Sequence, residues 1–107
     1  MIFVGSGMGH RASATRAGYA TSKAGLRMLV RVLAQELMDE GIVVNEMVPG
    51  PVRTAFIAGR EVQIHQAVGP SEWFKTADDV VPMALFMASQ QRPGPTGQTF
   101  SLARREI

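Results

Sequence analysis

The chain has 107 residues, a length that allows one domain with a modest core and excludes a second. Hydrophobic residues make up 46% of the chain and charged residues 19%, a composition typical of a globular protein and not of a disordered one. Cysteine is absent and the net charge of +2 is spread along the chain, so the sequence excludes disulfides and thiolate metal sites and does not indicate nucleic-acid binding.

The first half of the chain predicts a strand, a helix and a second strand. Residues 2–6, IFVGS, have the apolar character of a short buried strand and lead into a glycine-rich loop. Residues 17–40 follow a helical pattern, and Gly41 is a typical residue at the end of a helix. The β-branched run IVVNEMV, residues 42–48, predicts the second strand, which the turn signal PGP closes.

The second half predicts a helix and a third strand after a segment without a clear pattern. Residues 52–73 are compatible with short helical pieces or with a mobile flap. Thr76 and Asp79 have the spacing of a capping box, and the helix that follows tolerates Pro82 in its first turn. The run QTFSLA, residues 98–103, alternates as a strand does. Strands separated by helices predict an α/β fold, with about three parallel strands and flanking helices.

The sequence gives no sign of a membrane segment or of a metal site. No window approaches the roughly 18 apolar residues of a membrane span, and the beginning of the chain lacks the features of a signal peptide. The cytoplasm is therefore the expected location. His10 and His65 have no carboxylate or second histidine at the spacing of metal ligands, so we predict no metal site.

Tyr19 and Lys23 stand four residues apart at the start of the predicted helix, so they share one face. An ammonium beside the phenol favours the phenolate, which would make Tyr19 a better proton donor to a carbonyl oxygen. The alternatives are a tyrosine hydroxyl bonded within the core and a lysine that reaches to solvent. The same face continues as an apolar stripe expected to pack on the core: Leu26, Leu29, Val30, Leu33 and Leu37.

Ser6 is the candidate for a second hydrogen-bond donor beside Tyr19. It follows the first strand, and the carboxyl ends of parallel strands are where open α/β sheets bind ligands. A carbonyl that is being reduced develops negative charge on its oxygen, which a fixed hydroxyl donor would stabilise. The alternative is that Ser6 only caps the loop.

These residues resemble the motif of the short-chain dehydrogenases/reductases, in which a serine precedes the tyrosine of a Tyr-x-x-x-Lys motif by thirteen residues. Here the three residues are Ser6, Tyr19 and Lys23. The stretch VNEMVPGPVRT, residues 44–54, is similar to the segment after the family's sixth strand. Residues 71–102 are similar to its last helix and strand, so the resemblance covers nearly the whole chain.

The resemblance implies hydride transfer between a nicotinamide cofactor, NAD or NADP, and a small carbonyl or alcohol substrate. Tyr19 would exchange a proton with the substrate oxygen, Lys23 would assist it and hold the nicotinamide ribose, and Ser6 would polarise the substrate. Thr54 is equally compatible with a helix cap and with a cofactor ligand. Met8 is expected to line the substrate pocket with Ser6 and Tyr19. Besides Tyr19 and Lys23, the expected cofactor contacts are Pro49, Gly50, Val52 and Thr54.

The resemblance is to the C-terminal half of the family's Rossmann-type, doubly wound parallel sheet. The family's glycine-rich phosphate loop and the residue that selects the cofactor belong to its first half, and no stretch of this sequence matches them. We therefore expect residues 1–107 to form a single partial domain, either a fragment of a longer enzyme or a chain completed by a partner, and to be inactive alone.

A second possibility is a catalytically inactive module that retains the helices used for oligomerisation. In the family, the helix that carries the Tyr-x-x-x-Lys motif commonly packs against its twin. The predicted helix 17–40 has a second apolar strip outside the core stripe, so we expect a homo-oligomer that forms through this helix. This strip comprises Ala20, Ala24, Met28 and Val32.

Overall fold

The computed structural model describes all 107 residues as an α/β fold with one parallel sheet. The sheet order is β1-β2-β3, and both neighbouring pairs are parallel, with Ile2 opposite Asn45 and Glu46 opposite Thr99. The predicted three-stranded parallel sheet is therefore confirmed. The elements are β1 (Ile2–Val4), a 3-10 turn (Gly7–Gly9), α1 (Ala17–Glu36), β2 (Asn45–Val48), α2 (Glu61–Val68), a second 3-10 turn (Asp78–Val80), α3 (Val81–Ala88) and β3 (Thr99–Ser101).

The core lies between α1 and the sheet. Val30 and Ala34 of α1 pack there with Val44, which leads into β2, and all three are almost completely buried. Leu29 was expected in the core stripe, but 45% of its surface is exposed. The packed face is centred on Val30 and Ala34, and Leu29 lies at its solvent edge.

Helix α1 ends at Glu36, so the predicted end at residue 40 was wrong by one turn. Asp39 and Glu40 are unfavourable in the last turn of a helix, because the helix dipole places partial negative charge there. The chain instead turns from Leu37 to Gly41, whose φ of +67° lies in the left-handed region that glycine favours. Gly41 thus ends the turn, as the sequence indicated.

The segment 52–73, for which the sequence showed no clear period, contains helix α2. None of its eight residues is buried, and a helix that packs no face on a core needs no apolar period.

Before α3, Asp79 Oδ2 accepts hydrogen bonds from Thr76 N at 2.7 Å and from Thr76 Oγ1 at 2.9 Å. Pro82 lies in the first turn of α3, as predicted. No helix is both long and apolar enough to span a membrane.

Candidate active site

A cavity of about 350 Å³ opens at the carboxyl ends of β1 and β2, the edge at which parallel sheets bind ligands. Helix α1 begins at one side of it, and α2 contributes Ile64 and Val68 on another. The structure brings every candidate site residue from the sequence to this one cavity. These are Ser6, Met8, Tyr19, Lys23, Pro49, Gly50, Val52 and Thr54.

Tyr19 and Lys23 lie at the rim of the cavity and not in the core. Tyr19 is 38% exposed and its ring packs against Phe56, with the ring centroids 6.3 Å apart. Lys23 Nζ lies 5.9 Å from the centre of the Tyr19 ring and donates to Val4 O at 3.0 Å. No protein group bonds to the Tyr19 hydroxyl. The pair therefore faces an open space, and the Tyr19 hydroxyl is not bonded within the core.

Gly9 determines how closely the loop after β1 approaches this pair. A Cβ atom on Gly9 would lie 2.7 Å from the backbone carbonyl carbon and oxygen of Lys23, closer than real side chains come. The absence of a side chain at Gly9 therefore lets the 3-10 turn pack directly on α1 at Lys23.

Ser6 serves as a loop cap and lines the cavity at the same time. Its extended backbone precedes the 3-10 turn, and its Oγ accepts a hydrogen bond from Met8 N at 3.2 Å. That bond uses a lone pair of the hydroxyl and leaves its proton free to donate. The two roles considered for Ser6 are therefore compatible with each other.

The loop after β2 forms the opposite wall. Gly50 has a φ of +71°, and a Cβ atom there would lie 3.2 Å from Lys75 Nζ, so both its conformation and its surroundings favour glycine. Thr54 precedes no helix directly and its hydroxyl makes no hydrogen bond, so the structure does not use it as a helix cap. Asn45 ties the loop before β3 to β2, donating to Pro95 O at 2.7 Å and accepting from Gln98 N at 3.0 Å.

A buried ionic cluster, which the sequence did not reveal, supports the cavity from behind. Glu72 and Lys75 have no exposed side-chain surface, and the Glu72 carboxylate pairs with Arg105 and lies 3.7 Å from Lys75 Nζ. Burial lowers the pKa of Lys75 below its usual value, and Glu72 partly opposes this effect. Glu72 also accepts hydrogen bonds from Trp73 N and Arg104 N, each at 3.2 Å.

A second buried acid lies beneath the Ser6 loop. Glu46 is completely buried, and its Oε2 contacts His10 Nε2 at 2.9 Å and accepts from Thr99 Oγ1 at 2.7 Å, whereas its Oε1 has no partner. No carboxylate stands at ligand spacing from His10 in the sequence, but the fold places the Glu46 carboxylate beside it. The one sequence signal was an acid within the apolar run IVVNEMV.

Comparisons with known proteins agree on one family. A family model described as Enoyl-(Acyl carrier protein) reductase matches residues 1–102. A short-chain dehydrogenase/reductase of Armillaria gallica is 36% identical over 107 aligned residues, which cover 91% of this chain and 41% of the relative. The solved structure of a short chain dehydrogenase from Burkholderia cenocepacia in complex with NADP is 26% identical, with a TM-score of 0.80 over 94% of this chain and 42% of that one.

The solved structure of carveol dehydrogenase from Mycobacterium avium in complex with NAD superposes with a TM-score of 0.81 at 23% identity. The superposed region covers 94% of this chain and 43% of the carveol dehydrogenase chain. At 23% identity, the similarity supports the fold alone. The architecture is thus the one found in part of a Rossmann-type sheet, as predicted. The chain spans 28 to 42% of the length of the curated relatives that it matches.

Proposed function

The chain belongs to the short-chain dehydrogenase/reductase family, and we propose that it is the catalytic and substrate-binding part of an NAD(P)-dependent oxidoreductase. The substrate is a small carbonyl compound or the corresponding alcohol. The observation that carries this proposal is the meeting of Ser6, Tyr19 and Lys23 around one cavity, with the Tyr19 hydroxyl free of protein partners.

In this proposal Tyr19 donates its hydroxyl proton to the carbonyl oxygen during reduction and takes a proton from the alcohol during oxidation. The Ser6 hydroxyl donates a hydrogen bond to the same oxygen, where negative charge develops. Lys23 Nζ uses one of its three N–H groups on Val4 O, and the other two remain available to the cofactor ribose. Its positive charge lies 5.9 Å from the centre of the Tyr19 ring. When bound, the nicotinamide supplies or accepts the hydride.

The residues on the β2 side of the cavity fit the nicotinamide end of a dinucleotide. The unbonded hydroxyl of Thr54 and the backbone around Pro49, Gly50 and Val52 offer donors and acceptors of the kind that a carboxamide needs. The only glycine cluster, residues 5–9, forms the 3-10 turn beside Ser6 and does not begin an α-helix as a phosphate-binding loop does. The proposed contacts of this chain are therefore limited to the nicotinamide half, and they do not select NAD over NADP.

The proposal includes a single partial domain, residues 1–107, that needs further polypeptide to bind the cofactor tightly. Apolar surface supports this part of it. On β1, 36% of Ile2 and 52% of Val4 are exposed, and on α3, 64% of Leu85 and 50% of Phe86 are exposed. Contiguous apolar surface of this kind is typical of interfaces. We place the protein in the cytoplasm, where NAD and NADP are available.

We also propose self-association through α1. On the helix face turned away from the sheet, Met28 is 56% exposed and Val32 is 41% exposed, and Ala20 and Ala24 add small side chains to the same strip. This strip also supports the alternative function, a catalytically inactive module that keeps its oligomer contacts. Measuring the mass of a Met28→Lys/Val32→Lys double variant by sedimentation tests the contact independently of activity.

The test of the catalytic proposal compares Tyr19→Phe with Ser22→Ala, two variants that each remove one hydroxyl from α1. Ser22 bonds to Tyr19 O at 2.8 Å and does not line the cavity. In the chain extended in frame by its upstream coding sequence, Tyr19→Phe should lower NAD(P)H-dependent ketone reduction by about 10²- to 10⁴-fold, the usual contribution of a general acid. Ser22→Ala should keep the activity.

Two outcomes would overturn the catalytic proposal. Full activity in Tyr19→Phe would remove the proposed role of the hydroxyl. An extended protein that binds neither NADH nor NADPH, measured by fluorescence titration, would favour the inactive oligomerising module.

A further inference from the structure

A small recess adjoins the candidate active site on the side of the Ser6 loop. It has a volume of about 60 Å³, which is room for a group of a few atoms. Gly7, Met8, Val68 and Arg105 line both the recess and the main cavity, so the two spaces lie side by side. A molecule whose carbonyl lies near Ser6 therefore has the recess next to it.

Every charged residue that lines the recess or the main cavity is basic. Arg11 and Arg105 line the recess, Lys23 and Arg105 line the main cavity, and no aspartate or glutamate lines either of them. Arginine keeps its charge at every physiological pH, and its planar guanidinium can bind an oxyanion through two parallel hydrogen bonds. The lining thus has the chemistry of an anion site without a competing acid on its surface.

The two guanidinium groups are held in place and still have N–H groups free. Arg11 Nη1 donates to Glu106 O at 3.2 Å, and Arg105 Nη1 pairs with the buried carboxylate of Glu72. A Cβ atom on Gly7, the residue after Ser6, would lie only 3.1 Å from Arg105 Nη2. The absence of a side chain at Gly7 thus lets the Arg105 guanidinium lie close to the Ser6 loop.

Glu72 does not neutralise this region. Its single negative charge is shared between Arg105 and Lys75. A third cation, the Arg104 guanidinium, lies 4.9 Å from the Trp73 ring, and Lys75 Nζ lies 4.4 Å from the same ring. Arg11 has no acidic side chain within salt-bridge distance. An anion in the recess would therefore meet one arginine without an acidic partner, Arg11, and a second, Arg105, that shares its carboxylate with Lys75.

We propose that the recess binds an oxyanion, a carboxylate or a phosphate, carried by the substrate a few atoms away from its reacting carbonyl. The substrate class is then oxo acids or phosphorylated ketones, and Arg11 and Arg105 determine specificity by holding the anionic end. This inference rests on the proposed function for the role of the carbonyl. The preference for an anion is a property of binding and can be measured without turnover.

The test is equilibrium binding by calorimetry, with the chain extended by its upstream coding sequence. Acetoacetate is compared with its neutral methyl ester, and dihydroxyacetone phosphate with dihydroxyacetone, so that the carboxylate and the phosphate are tested separately. We expect at least one anion to bind roughly 10- to 100-fold more tightly than its neutral partner, the range that corresponds to a hydrogen bond with a charged group. Turnover of any of these ketones with NADH or NADPH is recorded separately and tests the proposed function.

Three variants connect the preference to the recess. Arg11→Gln and Arg105→Gln should each remove most of the preference for the anion. Arg11→Gln, which leaves the Glu72 cluster intact, should also leave the affinity for the neutral compound unchanged. Arg31→Gln, which changes an exposed arginine of α1 outside both spaces, should keep the preference. Arg11 makes a single bond to a backbone carbonyl, so its variant remains informative if Arg105→Gln destabilises the Glu72 cluster.

Equal affinity for the anionic and neutral compounds would overturn the inference, even if ketones are reduced. A preference that survives both Arg11→Gln and Arg105→Gln would overturn it as well. A preference that depends on the arginines in a protein that reduces no ketone would support the recess and contradict the proposed function.

Discussion

Replacing Glu72 by glutamine removes the only negative charge from a buried cluster and keeps the shape of the side chain. The Glu72 side chain is fully buried, and its carboxylate contacts Arg105 directly and Lys75 at 3.7 Å. Glutamine can still accept the hydrogen bonds from Trp73 N and Arg104 N through its amide oxygen. The variant therefore isolates the contribution of the charge.

The expected loss is large because two cations lose their partner inside the protein. Breaking a buried ion pair from one side costs about 3–5 kcal/mol, since the remaining charge is left uncompensated. The Arg105 side chain is 18% exposed and can turn toward water. We therefore expect the free energy of unfolding to fall by an amount near the lower limit, about 3 kcal/mol. With a urea slope of about 1–3 kcal/mol per molar, the midpoint should fall by roughly 1–3 M.

Trp73, the only tryptophan, reports this change directly. The Lys75 ammonium lies 4.4 Å and the Arg104 guanidinium 4.9 Å from its ring, so urea unfolding can be followed by its fluorescence. Glu61→Gln, at the exposed start of α2, is the matched control and should change the free energy of unfolding by less than about 0.5 kcal/mol. Adding Lys75→Met to Glu72→Gln should recover part of the loss. A Glu72→Gln variant as stable as the wild type would show that the Glu72 charge does not stabilise the cluster.

Three further predictions concern stability, each measured by urea denaturation. Gly5→Ala should destabilise by about 1–3 kcal/mol, because its Cβ would lie 1.8 Å from Glu46 Oε1, whereas Gly18→Ala, with no atom within 4 Å, should not destabilise. Burial lowers the pKa of Lys75 below 10.5, so the folded chain binds fewer protons than the unfolded chain just below pH 10.5; stability should rise with pH there, and Lys75→Met should abolish the rise. Hydrogen bonds from the Thr76 backbone N–H and hydroxyl lower the pKa of Asp79 below 3.8. The ionised carboxylate should therefore stabilise the fold above pH 3.8, and this stabilisation should be lost as the pH falls through the lower pKa of the folded state. Asp79→Asn should make stability depend less on pH in this acidic range. Unchanged pH profiles in these last two variants would contradict the assigned causes.

The parts of the fold that the sequence predicted well depend on short-range geometry. Tyr19 and Lys23 share a face because a helix repeats every 3.6 residues, and Ser6 reaches the same edge because it follows a parallel strand. Local rules of this kind fix which elements form and which ends of them meet. They were sufficient for Ser6, Tyr19 and Lys23, whereas the remaining candidate residues of the cavity were expected from the family resemblance.

The parts that the sequence did not predict depend on contacts between distant residues. Glu72 and Arg105 are 33 positions apart, and His10 and Glu46 are 36 apart, so no local period connects the members of either pair. Arg105, which lines the candidate active site, was visible only as part of a short basic run near the end of the sequence. Its role could be inferred only after the fold brought it beside Gly7.

The proposed catalytic centre is tested by deuterium transfer to a ketone from NADH or NADPH that carries deuterium at both C4 positions. The protein used is the one extended by its upstream coding sequence. The product is analysed by mass spectrometry and NMR. If Ser6, Tyr19 and Lys23 form the proposed centre, deuterium should appear on the former carbonyl carbon, and the rate of its appearance should fall about 10²- to 10⁴-fold in Tyr19→Phe. A product without deuterium at that carbon, or equal transfer in Tyr19→Phe, would contradict the account.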